Sequence, residues 1–234
     1  MKGTILDKTK LVNSVFSKVY KKYDLMNDIM SFGIHRLWKE KFIEWMNPGL
    51  NSKLIDVASG TGDIAKLFSK KTGNSSEITC VEPNINMFKE GGVNLKKFKN
   101  IKWIKAQAEN LPIKDDAFDF YSISFGIRNV ADINKTLSEA FRVLKPGGRF
   151  MCLEFSKIDN EMLNFIYKKY SKTIPLIGKY IVGTSQPYKY LINSIDQFYN
   201  QKQLIELMAK NGFSNTEYRN LSNGVSAIHS GWKI

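Results

Sequence analysis

Long apolar runs are missing from this sequence, and so are clusters of metal-binding residues. No stretch approaches the roughly 20 apolar residues that a membrane-spanning helix needs, so none is expected. The first residues carry no signal-peptide apolar core. Cysteine occurs twice, at Cys80 and Cys152, each inside an apolar strand-like run and without metal spacing. Two reduced core thiols in a reducing compartment are the expectation, and no metal centre. Histidine is equally scarce, at His35 and His229. Acids are outnumbered: 22 face 35 basic residues, giving a formal charge of +13, and 30 of those 35 are lysines spread along the chain. A scattered lysine excess suits a solvated surface as well as an acidic partner. Zinc spacing and RNA-binding aromatic motifs are both lacking, so nucleic acid is not an expected partner.

What is present is an ordinary globular composition, 43% hydrophobic and 24% charged over 234 residues. That suits one α/β domain with additions. The organising stretch is Lys53-Leu-Ile-Asp-Val-Ala-Ser-Gly-Thr-Gly-Asp-Ile-Ala65. It reads as buried strand, tight turn and helix. Gly60 and Gly62 allow the turn to press its backbone against a ligand whose anionic group faces the next helix N-terminus. The spacing Gly60-x-Gly62-x-x-Ala65 fits a dinucleotide fingerprint, so NAD and S-adenosylmethionine (SAM) are both admissible on it. Asp56 inside the strand favours SAM, because a carboxylate faces an ammonium and a sulfonium better than a pyrophosphate.

The rest of the chain alternates. Residues 9–46 read as helices, with one apolar stripe through Leu11, Val15 and Val19 and another through Leu37, Trp38, Phe42 and Trp45. Glu77 to Glu82 reads as a second strand, ending on an acid about 20 residues past the glycines, where a carboxylate can hold a ribose diol. A helix interrupted at Gly91-Gly92 is expected over 84–97, then a third strand from Ile101 to Ala106 whose tip brings Gln107 and Ala108 to the adenine. The fourth strand, Phe118 to Ser124, sets Ser124 beside the cofactor and Arg128 with Asn129 on the substrate side. Asp132 caps a helix reaching Leu144, and strand five runs from Arg149 to Phe155. Residues 160–195 are aromatic-rich and mostly helical in pattern; a helix at 201–210 and strands Ser214 to Leu221 and Gly224 to Ser230 finish the chain. The pattern implies a doubly wound sheet with an antiparallel edge.

Two long patterns carry a family resemblance: Tyr23-Asp24-x-Met26-Asn27 running on to Ser31-x-x-x-His35-x-x-Trp38, and Arg142-Val-Leu-Lys-Pro-Gly-Gly-x-Phe-x-x-Leu-Glu-x-Ser156. Phe125-Gly-Ile-Arg-Asn-Val130 and Gly224-Val-x-Ala-x-His229 extend it over essentially the whole chain. The sequence resembles the ubiquinone/menaquinone biosynthesis C-methyltransferases, within the class I SAM-dependent methyltransferases. The resemblance implies an α/β Rossmann-like sheet, mostly parallel with an antiparallel C-terminal hairpin and helices on both faces. It implies an N-terminal arm over the substrate site (1–49), a SAM-binding core (50–156), a helical lid (157–200) and a closing helix and hairpin (201–234).

The implied reaction moves a methyl group from SAM to a ring carbon of a polyprenylated quinol. Thr61, Glu82, Gln107, Ala108 and Ser124 match the family's cofactor positions, beside Asp56, Gly60 and Gly62 from the turn itself. A quinol hydroxyl has a pKa near ~10, so a base or a cation must favour the phenolate. Arg128 is the expected cation. Tyr23, Asp24, His35, or a water held by Arg128 and Asn129 are the candidate proton acceptors, with His35 reading equally well as helix packing. An NAD-dependent oxidoreductase and a catalytically silent scaffold stay open as alternatives. The expected location is cytoplasmic and peripheral to the inner membrane, or the mitochondrial matrix side in a eukaryote. Lys8 to Lys22 and the segment Lys157, Lys168, Lys169, Lys172, Lys179 and Lys189 are the candidate contacts with anionic lipid. Self-association as a homodimer and contacts with other quinone-biosynthesis enzymes are left open.

Overall fold

The computed structural model describes Asp28, Ser31, residues 33–158 and 185–234, and between the last two spans residues 160–162, 164, 165, 167, 169, 170 and 173–175. Tyr23, Asp24, the Leu11 to Val19 stripe, the Lys8 to Lys22 group and Lys168, Lys172 and Lys179 lie outside the described residues.

Seven strands form one sheet in the order β3-β2-β1-β4-β5-β7-β6. They are β1 (Lys53–Val57), β2 (Glu77–Val81), β3 (Ile101–Ile104), β4 (Phe118–Ser124), β5 (Leu144–Phe155), β6 (Ser214–Leu221) and β7 (Ser226–Trp232). The first five run parallel; β7 is antiparallel to β5, and β6 to β7. The strand order reverses between β1 and β4, which opens a crevice at their carboxyl ends.

Helices cover both faces, as the sequence pattern of β1 demands: Leu54, Ile55, Asp56 and Val57 are all buried. Leu54 faces one core with Phe42 and Met46 of α1 (His35–Met46) and with Ile64 and Phe68 of α2 (Asp63–Lys71). Ile55 and Val57 face the other, with Leu137 and Ala140 of α4 (Ile133–Val143) and Leu204 and Met208 of α6 (Gln201–Lys210). Asp132 caps α4 by accepting from Lys135 N. Asn200 and Gln203 cap α6 reciprocally. Helix α5 (Gln186–Gln197) packs Tyr188 and Leu191 onto the first core.

Three local expectations change. Helix α3 spans Ile85–Asn94 and runs through Gly91-Gly92 without a break. The reason for Gly91 is packing, since a Cβ there would come within 2.2 Å of the Trp103 ring. Strands β2 and β3 stop at Val81 and Ile104, leaving Glu82 and residues 105–108 on the turns that face the crevice. Leu144 belongs to β5, because Lys145-Pro-Gly-Gly148 is absorbed as an irregularity between the Phe118/Leu144 and Phe120/Arg149 pairs.

Candidate active site

The crevice has a volume of about 1090 Å³ counting its open mouth. That is the scale of a small-molecule site. Its walls come from four strand tips: Asp56 and Ala58 to Thr61 at the end of β1, Glu82 to Asn84 after β2, Gln107 to Glu109 after β3, and Ser124 to Gly126 at the end of β4. Two of these turns hold non-glycine residues in the left-handed region, Ala58 at φ 54° and Phe125 at φ 54°. Such backbone costs on the order of 1 kcal/mol per residue and persists where the surroundings enforce it.

Asp56 forms the floor. Its Oδ1 accepts from Ser122 Oγ at 2.6 Å, while Oδ2 is buried without a partner. Burial raises its pKa to about 7, against the opposing hydrogen bond from Ser122; Ser59 Oγ donates to the Asp56 main-chain carbonyl. Glu82 has a different surrounding. Its Oε2 accepts from Gly60 N at 2.9 Å and its Oε1 from Asn84 N at 2.8 Å, so it braces the glycine turn and the start of α3. Burial raises this carboxyl to about 7 as well. Asn84 Oδ1 in turn caps α3 by accepting from Asn86 N and Met87 N. Ser124 Oγ is buried and unpartnered in the wall. Glu109 Oε1 accepts from Ala131 N at 2.6 Å and ties the third tip to the rim.

Asp56, Gly60, Thr61, Glu82, Gln107, Ala108 and Ser124 therefore share one cavity. Gly62 does not. At φ +91°, an added Cβ there would sit 2.4 Å from Leu95 Cδ1, so this glycine serves close packing beneath the turn. Asn129 lines the cavity, and its Oδ1 accepts from Tyr190 OH of α5 at 2.9 Å.

The expected placement of Arg128 over the substrate is corrected. Its side chain is absent from the cavity lining and 1% exposed, paired with the fully buried Glu154 of β5 and donating to Phe125 O at 2.9 Å. Its Nη1 is thus engaged by Glu154 and by the carbonyl of the left-handed Phe125, which ties that turn to β5. His35 is also set back from the cavity lining. Its Nε2 meets Asp28 Oδ1 at 2.9 Å, its Nδ1 is buried without a partner, and burial lowers its pKa, keeping the ring neutral. His229 lies buried on β7, where burial lowers its pKa to about 4. Lys39, Asp63 and Asn84 line the site without having been expected; only their proximity in the fold, across α1, α2 and α3, assembles them.

A family model, the ubiE/COQ5 methyltransferase family, matches residues 4–233. The chain belongs to that family. It is thus a methyltransferase, and the oxidoreductase and silent-scaffold alternatives fall. Its curated relatives include the ubiquinone/menaquinone biosynthesis C-methyltransferases of Rickettsia bellii (strain OSU 85-389), 50% identical over 97% of this chain and 94% of theirs, and of Rickettsia akari (strain Hartford), 51% identical over the same shares. Among solved structures, a SAM-dependent methyltransferase of Thermotoga maritima superposes with TM-score 0.67 at 23% identity, covering 94% of this chain and 99% of its own. One from Aquifex aeolicus does so with TM-score 0.62 at 15% identity, covering 84% and 89%. These two likenesses concern the fold, which matches the expected Rossmann-like class I sheet with its antiparallel C-terminal pair.

Proposed function

We propose that this chain is a SAM-dependent C-methyltransferase acting on the ring of a polyprenylated quinol in ubiquinone or menaquinone biosynthesis, the pathway for which its relatives are named. The observation that carries the cofactor assignment is the buried, unpartnered Asp56 Oδ2 on the crevice floor, beside the glycine turn. A desolvated carboxylate oxygen without a donor fits a cationic ligand group. Bound there, SAM supplies an electrophilic methyl on a sulfonium.

The protein's own contribution is positioning and a dry wall. Glu82 offers a carboxylate to the ribose diol while bracing Gly60, and Gln107 with Ala108 offers an edge and an apolar face to the adenine. Ser124 and Asn129 border the open side, where the quinol ring would enter. Holding two reactants in line and excluding water supplies much of the acceleration, since the charge of a phenolate and a sulfonium is lost together in the transition state. Asn129, oriented by Tyr190, is an amide without a basic site and serves to hold a water as proton acceptor; Tyr23 and Asp24 of the arm are the alternative acceptors. Arg128 acts by holding Phe125.

The N-terminal arm and the segment 157–200 serve as cover, and the basic surface contributes a peripheral contact with anionic lipid. Lys157 is withdrawn from that surface, since its Nζ donates to Ile195 O and Asp196 O at the end of α5. No described helix is long and apolar enough to cross a membrane.

The test incubates purified protein with SAM and, separately, a short-chain demethylmenaquinol and a short-chain 2-polyprenyl-6-methoxy-1,4-benzoquinol, reading product mass. One added methyl on either ring supports the assignment, and S-adenosylhomocysteine binding without turnover on both refutes the quinol half. Flotation with vesicles containing or lacking anionic lipid tests the surface contact, which equal recovery from both would exclude.

A further inference from the structure

Asn129 closes the short 3₁₀ turn Ile127–Asn129 that follows β4, and it lines the crevice. A carboxamide has a donor end and an acceptor end, and which of them meets a ligand depends on what holds the other. Two neighbours decide it here. Phe125 O, an acceptor, stands 3.5 Å from Nδ2, and Tyr190 OH stands 2.9 Å from Oδ1. Burial pushes the Tyr190 pKa above the usual phenol value, so the hydroxyl keeps its proton and donates it. With Oδ1 taken and Phe125 O engaging at most one amide hydrogen, an N–H is left for the crevice.

Tyr190 can set that orientation because α5 is itself held. Tyr188, Leu191 and Ile195 are buried in the first core, which fixes the rotation of the helix about its axis. Its last turn is tied down by Lys157, whose Nζ donates to Ile195 O at 2.8 Å and to Asp196 O at 2.7 Å. A cation on the terminal carbonyls also answers the negative end of the helix dipole. The Lys157 main chain is held in turn by Gln201 Nε2, which donates to its carbonyl at 2.9 Å. The end of β5 is thereby linked through α5 to Asn129.

We propose that Tyr190 is a positioning residue: it holds the Asn129 carboxamide with its N–H toward the reacting quinol hydroxyl and the water beside it. This rests on the quinol assignment above and deepens it. An amide oxygen turned to that point would repel the phenolate oxygen as it forms, whereas an N–H stabilises it. Helix α5 therefore shapes the site as well as covering it.

The test measures anaerobic turnover of the two short-chain quinols, S-adenosylhomocysteine affinity and melting temperature for Tyr190→Phe, Asn129→Ala and the double variant. Tyr190→Phe, which removes only the hydroxyl, should lower kcat by about 5-fold or more, the loss of one hydrogen bond. S-adenosylhomocysteine affinity should stay within about 2-fold and the melting temperature within about 4 °C. On the Asn129→Ala background the same change should cost less than about 2-fold, because the group it positions is gone. The kcat deficit should also shrink from about pH 7 to about pH 9, as the quinol nears its own pKa and needs less help to ionise. Asn129→Ser repeats the cycle should Asn129→Ala fold poorly. Unchanged kcat in Tyr190→Phe, independent losses that multiply in the double variant, or a fall in cofactor affinity parallel to kcat overturns the role of Tyr190. A wild-type chain that methylates neither quinol overturns the quinol assignment and this role with it, a distinct result.

Discussion

Replacing Arg128 with methionine should cost stability more than cofactor affinity. The two side chains of the Arg128–Glu154 pair are 1% and 0% exposed, and burial already pushes the Glu154 pKa up against the pull of Arg128. Removing the cation leaves a carboxylate in the core with only the backbone N–H groups of Phe155 and residue 128 to answer its charge. Breaking a buried pair from one side costs about 3–5 kcal/mol. At about 2–4 °C per kcal/mol for a chain of this size, the melting temperature should fall by about 6–20 °C. The folded chain escapes part of the cost by protonating Glu154. Because a raised carboxyl pKa means that the folded state binds more protons, stability is lost as pH rises, and the deficit should be smaller at pH 5 than at pH 8. The double variant Arg128→Met with Glu154→Met should recover most of it, short of about 1 kcal/mol for the Phe125 carbonyl left without its donor. Urea unfolding at both pH values, with S-adenosylhomocysteine affinity measured on the folded protein, decides. A single variant as stable as wild type with turnover abolished would refute the buried-pair account and return Arg128 to the substrate.

Three further outcomes follow from the geometry. Asp56 at about pKa 7 makes the ligand-free chain most stable below the unfolded carboxylate value and progressively less so as pH rises to about 7. A cationic ligand needs the ionised form, so SAM affinity should rise by about tenfold or more between pH 6 and pH 8, with Asp56→Asn reducing the slope and leaving the part that Glu82, also at about 7, contributes; equal slopes would exclude Asp56 from the ligand. Glu82→Ala removes the acceptor for Gly60 N and Asn84 N along with the diol partner, and should weaken S-adenosylhomocysteine by about 10-fold or more in calorimetry, where unchanged affinity refutes the role. Gly91→Ala forces a Cβ into the Trp103 ring and should cost about 1–3 kcal/mol in urea unfolding with cofactor affinity kept, a cost absent if α3 breaks there.

The strand-turn-helix at 53–65 was legible because it is local: apolar run, glycine turn and helical spacing follow one another along the chain. So were the family motifs, the α4 cap at Asp132 and the acid at the tip of β2. Gly91 was misread as a helix break, because its partner Trp103 lies on the next strand and no periodicity records a ring that approaches from outside the helix. Arg128 was misplaced for the same reason. A cation on a turn after a strand reads as a free hand for a ligand until its carboxylate, 26 residues later on β5, is seen to close against it.

By itself, then, the amino-acid order determined the alternation of elements, the parallel sheet with its reversed edge, the ligand-facing turn and the family. Burial patterns and turn residues act over a few neighbours, so they are readable one window at a time. The tertiary structure decided which charges meet: Lys39 with Asp63, 24 positions apart, and Arg128 with Glu154. Those pairings depend on where the sheet order reverses and which helix face turns inward, and desolvation sets their consequences only after the chain has closed around them.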